Sequence, residues 1–342
     1  MPIRLKDIAQ ATGFSVNTVS LALNNSNRIS EETKAIIRQE AARMRYIPNK
    51  VAKSLVTKKS HIAGVIVRAL NNPILNAVAS ELERKLYEYG YSMTVVTTVY
   101  PRSEKDALDL MIAQQVDVVF MFPCLPPDRE TIETIQNFPV PVILLSYGNY
   151  PLFTDAIYID KEYAAYRVTK YLVELCHQKI GLICGSAGRV LSQMDCDRFN
   201  GYLRALEEGG IRYNPAYTIL MKDGTYQAGF DAAAELHHRS DVTAVYAPSD
   251  AIGCGVIRFF LSAGVRIPED ISVVCNDSTE VAAFAPVPIT ASKYDVKKLV
   301  DAAIERMLER LRNPEEKMDF VRVPILSELD IRESTRPLKE TS

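Results

Sequence analysis

Two groups of residues in this chain have types and spacings suited to recognition chemistry. The first is SVNTVSLALNN, Ser15 to Asn25, where Val16, Asn17, Ser20, Leu21 and Asn24 fall on or beside one face of a short helix. That face is too polar to bury and too uncharged to be an ordinary solvated surface. Short amides and hydroxyls of this kind suit base edges and phosphates in a DNA major groove. Asn17 is best placed to read adenine through its amide, while Ser15, Thr18, Ser20, Asn24, Ser30 and Thr33 are expected on phosphates. The second group is Asp160, Arg198 and Asp277, whose charges suit a polyhydroxylated or heterocyclic ligand held by charge-assisted hydrogen bonds.

The first group needs a small rigid module around it. LKDIAQAT ends at Gly13, a natural C-cap, and Ser15 then stands as an N-cap before VNTVSLALN. Ser30 caps a third helix whose Glu31 and Glu32 favour its positive end. Ile8 and Ala11, Val19 and Leu23, and Ile36, Ile37, Ala41 and Met44 supply the expected inward stripes of the three helices. This is a helix-turn-helix with a supporting third helix. Next, YIPNKVAKSL places Pro48 and Asn49 before a helix too short to be stable in water by itself, expected to fold only when docked. Two copies packed through Val51 and Ala52 would push Leu55 into a minor groove as an apolar wedge.

Charge distribution supports this division. Net charge is only −2, but residues 1 to 60 hold 11 Lys or Arg against 4 Asp or Glu, while the remainder holds 29 against 38. A basic module is thus joined to an acidic body, which points to nucleic acid as the head's partner. A three-helix module for protein recognition would leave that excess unexplained. No apolar run approaches the roughly 18 residues of a membrane span, and the start has no export signal, so no membrane partner and a cytoplasmic location are expected. Six cysteines, Cys124, Cys176, Cys184, Cys196, Cys254 and Cys275, form no CxxC pair, as suits free thiols in a reducing compartment. The glycine pairs at Gly185 and Gly253 lack a phosphate-loop lysine, and the four histidines lack partners at metal or triad spacing. No catalytic constellation, metal or cofactor is expected.

Beyond Ser60, near-continuously apolar runs such as IAGVIV, VDVVFMF, KIGLICG and ISVVCND alternate with amphipathic stretches. Strands of that kind are buried on both faces, which implies parallel sheets covered by helices. The fold class is therefore an all-α helix-turn-helix head plus an α/β core of two parallel-sheet lobes. Ligands of open α/β sheets bind at the carboxyl ends of strands. That rule nominates Asn72, Leu75, Phe122 and Tyr147 from the first lobe, Asp160 at the crossover, and Arg198, Tyr226, Ser249 and Asp277 from the second. Asp250 is the alternative case, a helix cap, and Arg198 and Asp277 also admit readings as structural braces.

LKDIAQATGFSVNTVSLALN, RISEETKAII and YIPNKVAKSL, followed by YID at Tyr158, RFNGY at Arg198, PSD at Pro248 and IPEDISVVCND, resemble the lactose repressor (LacI/GalR) family across nearly the whole chain. The resemblance implies a dimeric repressor on a pseudopalindromic operator, with a small effector, a sugar by expectation, between two periplasmic-binding-protein-like lobes. It implies base-reading positions at Val16, Asn17 and Leu21, hinge residues Asn49 and Ala52, and Leu55 as the intercalating wedge. The implied domains are 1–47, a hinge at 48–60, and a core at 61–342, with lobe 1 at 61–160 and 291–320 and lobe 2 at 161–290 and 321–342. Leu21 departs from the usual arginine, Ile74 and Leu75 from sugar-stacking aromatics, and Lys161 after Asp160 from the usual asparagine. The alternatives are a regulator of this kind controlled by a phosphocarrier protein, or a solute-binding protein on the same lobes.

Overall fold

The computed structural model describes residues 3–46, 59–68, 70, 73–99, 102–123, 128–145, 152–187, 190–191, 193–221, 223–312 and 319–338. Asn49, Ala52, Leu55, Asn72 and Tyr147 lie outside them. The chain divides into two compact units, residues 1–60 and 61–342.

The head holds α1 (Leu5–Thr12), α2 (Val16–Leu23) and α3 (Glu31–Arg43). Gly13 closes α1 in the left-handed region, φ 75°, and its N–H donates to the Ala9 carbonyl, a conformation that a side chain would strain. Ile8, Val19, Ala22 and Ile37 are fully buried where the three helices meet. Two expected core positions are corrected. Ala11 is exposed and Ile36 is 47% exposed. On α1 the buried face runs through Leu5, Ile8, Ala9 and Thr12, and on α3 through Lys34, Ile37, Ala41 and Met44, each at three- and four-residue steps.

In the core, the first sheet runs β12-β5-β4-β3-β1-β2 with every pairing parallel. Its strands are β1 (Ile62–Val67), β2 (Ser92–Thr97), β3 (Val118–Met121), β4 (Val142–Leu145), β5 (Asp155–Ile159) and β12 (Arg322–Ile325). The second runs β13-β11-β10-β9-β6, with β7 and β8 both pairing with β6. It comprises β6 (Ile180–Ala187), β7 (Val190–Leu191), β8 (Thr218–Met221), β9 (Ala244–Tyr246), β10 (Ser272–Asp277), β11 (Thr290–Lys293) and β13 (Glu328–Asp330). The α helices are α4 (Pro73–Glu88), α5 (Glu104–Ala113), α6 (Arg129–Gln136), α7 (Lys161–Glu174), α8 (Gln193–Glu208), α9 (Tyr226–Arg239), α10 (Asp250–Ser262), α11 (Glu280–Ala283) and α12 (Val296–Arg312).

The lobe boundaries expected at 291 and 321 move. All of β11 belongs to the second sheet, where it pairs with β10 in parallel, and β12 belongs to the first, in parallel with β5. The chain therefore crosses at Asp160–Lys161, again after Lys293, and a third time after Ile325, because each sheet keeps its strand whole. After the second crossing α12 packs on lobe 1, burying Leu299, Val300, Ala303, Ile304 and Met307 with the β1–β5 core.

One ionic knot ties these passages together. Asp155, 2% exposed at the start of β5, accepts from Arg310 Nε at 2.7 Å, from Arg306 at 2.9 Å and from the Val321 N–H at 3.0 Å. Burial alone would raise its carboxyl pKa, but the two guanidiniums and that N–H hold it below the usual range. Asp155→Ala strands two arginines near the interior, so the core should lose about 3–5 kcal/mol in denaturant titration of the full chain. A loss within the scatter of surface substitutions would contradict this role.

Candidate functional site

On the head, local hydrogen bonds prearrange the polar face. The Thr18 N–H donates to Ser15 Oγ at 3.0 Å and the two hydroxyls lie 2.8 Å apart. Ser30 and Thr33 repeat the arrangement at the start of α3, at 3.3 and 2.9 Å. Each pair closes a helix N-terminus, where the remaining backbone N–H groups and the helix dipole favour an anion such as a phosphate. Val16 and Asn17 project into solvent from the first turn of α2, whereas Thr18, Ser20 and Leu21 are half-buried. Asn24 donates through its amide to the Ser20 carbonyl at 2.9 Å, so a phosphate contact by Asn24 competes with that bond. Arg38 holds the turn after α2 through Asn25 Oδ1 at 2.9 Å.

In the core, the first crossing carries the chemistry. Asp160 caps α7, accepting from the Tyr163 N–H at 2.8 Å. The next residue, Lys161, holds its ammonium 4.6 Å from the centre of the Tyr294 ring, at the second crossing. Arg198 on α8 is 8% exposed and donates through Nη1 to Asp195 Oδ1 at 3.1 Å. Its position depends on Gly201, one turn along α8, where a Cβ would stand 2.1 Å from the Glu162 carbonyl of α7. Only glycine permits that approach of α8 to the start of α7.

Asp277 ends β10 with φ 86° and Ser278 follows at φ 56°. Two successive non-glycine residues in that region mark stored strain of the kind found at functional sites. The loop is pinned by Asp250, whose carboxylate accepts from the Thr279 N–H at 2.7 Å, the Thr279 hydroxyl at 2.6 Å, the Ser278 N–H at 3.2 Å and Cys275 Sγ at 3.2 Å. Asp250 is thus a brace, and the capping of α10 falls to Ser249, which accepts from the Ile252 N–H.

The electrostatics join Lys161, Arg198 and Asp277 into one cluster. Burial lowers the Lys161 ammonium pKa to about 8, Arg198 adds repulsion, and Asp277 opposes both. Burial likewise raises the Asp277 carboxyl to about 6, with Lys161 pulling the other way. The remaining candidates stand apart from this cluster in different ways. Phe122, at the end of β3, is 5% exposed and packs into the lobe 1 core, and Leu75 packs half-buried against the same core. Phe122 is therefore better described as core than as an open ligand surface, because β3 is central in its sheet. Tyr226, 51% exposed, starts α9. Sequence reasoning missed Tyr294, Tyr246 and Asp195 as members of the cluster, while Lys161 stood out only as a departure after Asp160. Among the described residues no cluster of three metal-ligating side chains occurs and no helix is long and apolar enough to cross a membrane.

A helix-turn-helix head followed by a two-lobe core of periplasmic-binding-protein type defines a DNA-binding transcriptional regulator. Residues 4–49 match the model of bacterial regulatory proteins of the lacI family, and residues 169–335 match a periplasmic binding protein-like domain. Over nearly its whole length the chain is similar to regulators of the LacI family. It is 26% identical over 340 residues to the HTH-type transcriptional repressor PurR of Haemophilus influenzae, covering 98% of this chain and 99% of that one. The ribose operon repressor of Escherichia coli is 26% identical over 313 residues, 91% of this chain and 93% of that protein. The solved Lac repressor dimer bound to operator and the anti-inducer ONPF superposes with a TM-score of 0.83 at 25% identity, covering 98% and 100% of the two chains.

The Asp277 shift has a signed consequence. A carboxyl whose pKa is raised on folding contributes stability that is complete below its unfolded value and is lost as pH rises through the folded value. The melting temperature of the full chain should therefore carry a component that falls as pH rises through about 6. Asp277→Asn should remove it, which the difference between the two melting profiles isolates from His177, whose burial lowers its own pKa. Parallel profiles would rule out a buried, strained Asp277 carboxyl.

Proposed function

We propose that the protein is a repressor that binds a pseudopalindromic operator as a homodimer, and that a small molecule in the core sets its operator affinity. The carrying observation is the exposed face of α2, flanked by the hydroxyl pairs at Ser15 and Ser30. Asn17 reads adenine, Val16 and Leu21 meet thymine methyls or nothing, and the hydroxyls receive phosphates at the ends of α2 and α3. A single recognition helix reads few base pairs, so specificity calls for a second copy one turn away. The names of the PurR and ribose operon relatives as repressors, and the description of the Lac repressor structure as a dimer on its operator, support this reading.

In the core, Asp160, Lys161, Arg198 and Asp277 lie at or beside the crossings, where a bound molecule would bias the angle between the lobes. Effector coupling of this type is worth about 1–3 kcal/mol in operator affinity. A phosphocarrier partner in place of a small molecule has no observation in its favour.

Operator affinity should fall steeply with salt, because several Lys and Arg of residues 3–46 release counterions from phosphates. Fluorescence anisotropy across a salt series measures the slope, and a flat response would rule out DNA as the partner of the head. Leu21→Arg should change the sequence preferred in selection from a random library, adding a guanine at one position of each half-site. An unchanged consensus would show that Leu21 faces no base.

A further inference from the structure

Several polar groups lack partners where the chain passes between the lobes. Tyr294, 4% exposed at the second crossing, has a buried hydroxyl with no hydrogen-bond partner, and so does Ser292 two residues before it. Ser327, at the third crossing, repeats the pattern. Arg198 donates to Asp195 through Nη1 but leaves Nε buried without an acceptor. Among the described residues no acceptor or carboxylate lies within bonding distance of the Lys161 ammonium, which rests against the Tyr294 ring.

A ring face attracts an ammonium but gives no oxygen to its three N–H groups. Lys161 N–H, Arg198 Nε–H and Tyr294 O–H are therefore donors still seeking acceptors, and the two cations repel each other across the site. Most of the nearby carboxylates are already engaged. Asp195 is bonded to Arg198, Asp250 is held by four donors, and Asp197 has an interaction of its own. Asp277, which receives an N–H from the Asp250 backbone, and the unpartnered Asn276 Oδ1 remain as acceptors. Asp277, Asp195 and Asp197 balance the Lys161 charge at a distance, but a neutral polyol would bring its N–H groups no charged acceptor of their own.

We infer that the effector carries an oxyanion, a carboxylate or a phosphate, received by Lys161 with Arg198 Nε and the Tyr294 hydroxyl, while its hydroxyl groups face Asp277 and Asn276. The assignment rests on the reading of the core as a small-molecule site and narrows the ligand to sugar acids, sugar phosphates and compounds of like chemistry. It also gives a role to the lysine after Asp160, whose ammonium meets a ring face and no acceptor.

The test is isothermal titration of the full chain with matched probes: glucose beside gluconate and glucose 6-phosphate, ribose beside ribose 5-phosphate, and inorganic phosphate. The acidic member of a set should bind roughly ten- to a hundredfold more tightly than its neutral counterpart, the value of one charge-assisted hydrogen bond. Comparison of gluconate with glucose 6-phosphate decides between carboxylate and phosphate. Lys161→Asn should erase the preference without lowering the melting temperature, and Lys161→Arg should retain it. Equal binding of neutral and acidic members, or an undiminished preference in Lys161→Asn, overturns the oxyanion and leaves a small-molecule site standing. Binding by none of the probes, with operator affinity unchanged in their presence, overturns both.

Discussion

The structure depends on charges that the fold holds out of water at the places where the chain changes lobes. Burying an ionised group is costly unless a partner of opposite sign comes with it. At the outer end of β5 that condition is met, since Asp155 has two arginines and a backbone N–H. At the inner end it is met only in part. The Lys161 ammonium lies against a ring that accepts none of its N–H groups, Asp277 is held near half protonation around pH 6, and Tyr294 has no partner for its hydroxyl. The first arrangement fixes β5, α12 and the entry to β12, and the second leaves unmet hydrogen bonds for something to complete.

That contrast separates scaffold from site. Asp250 and Asp277 lie close together in space and close in type, yet they differ in role. Asp250 is saturated by the backbone and side chains of the loop it braces, and the brace is what keeps Asp277 and Ser278 at positive φ. Gly201 does comparable work for Arg198 by letting α8 press against the first turn of α7. The head follows another logic, in which each N-cap hydroxyl is paired with a second hydroxyl one turn on, so its polar face is ordered by neighbours in sequence.

Legibility in the sequence followed the same division. The caps at Ser15 and Ser30 and the turn at Gly13 were readable because their causes are local: a hydroxyl before a helix, and a residue without a side chain after one. The parallel strands were readable from their unbroken apolar runs. Ala11 and Ile36 were misplaced because the buried width of a helix depends on how its neighbours cross it. The ends of β11 and β12 depend equally on strands far away in sequence. In the core, Arg198 and Asp277 could be nominated singly. Tyr294 and Tyr246 could not, because nothing in their surroundings in sequence signals that the fold brings one beside Lys161 and the other beside Arg198.

A DNA-reading helix is thus coupled, on this reading, to a core whose incomplete charges await a ligand. The coupling is tested most directly by operator titration of the full chain, with and without a deproteinised small-molecule extract of the host cells, in the wild type and in Arg198→Ala. The extract should shift operator affinity of the wild type and leave that of Arg198→Ala unmoved, with both proteins binding operator equally in its absence. An equal shift in the two, or none in the wild type, would contradict control of the head through the buried charges of the core.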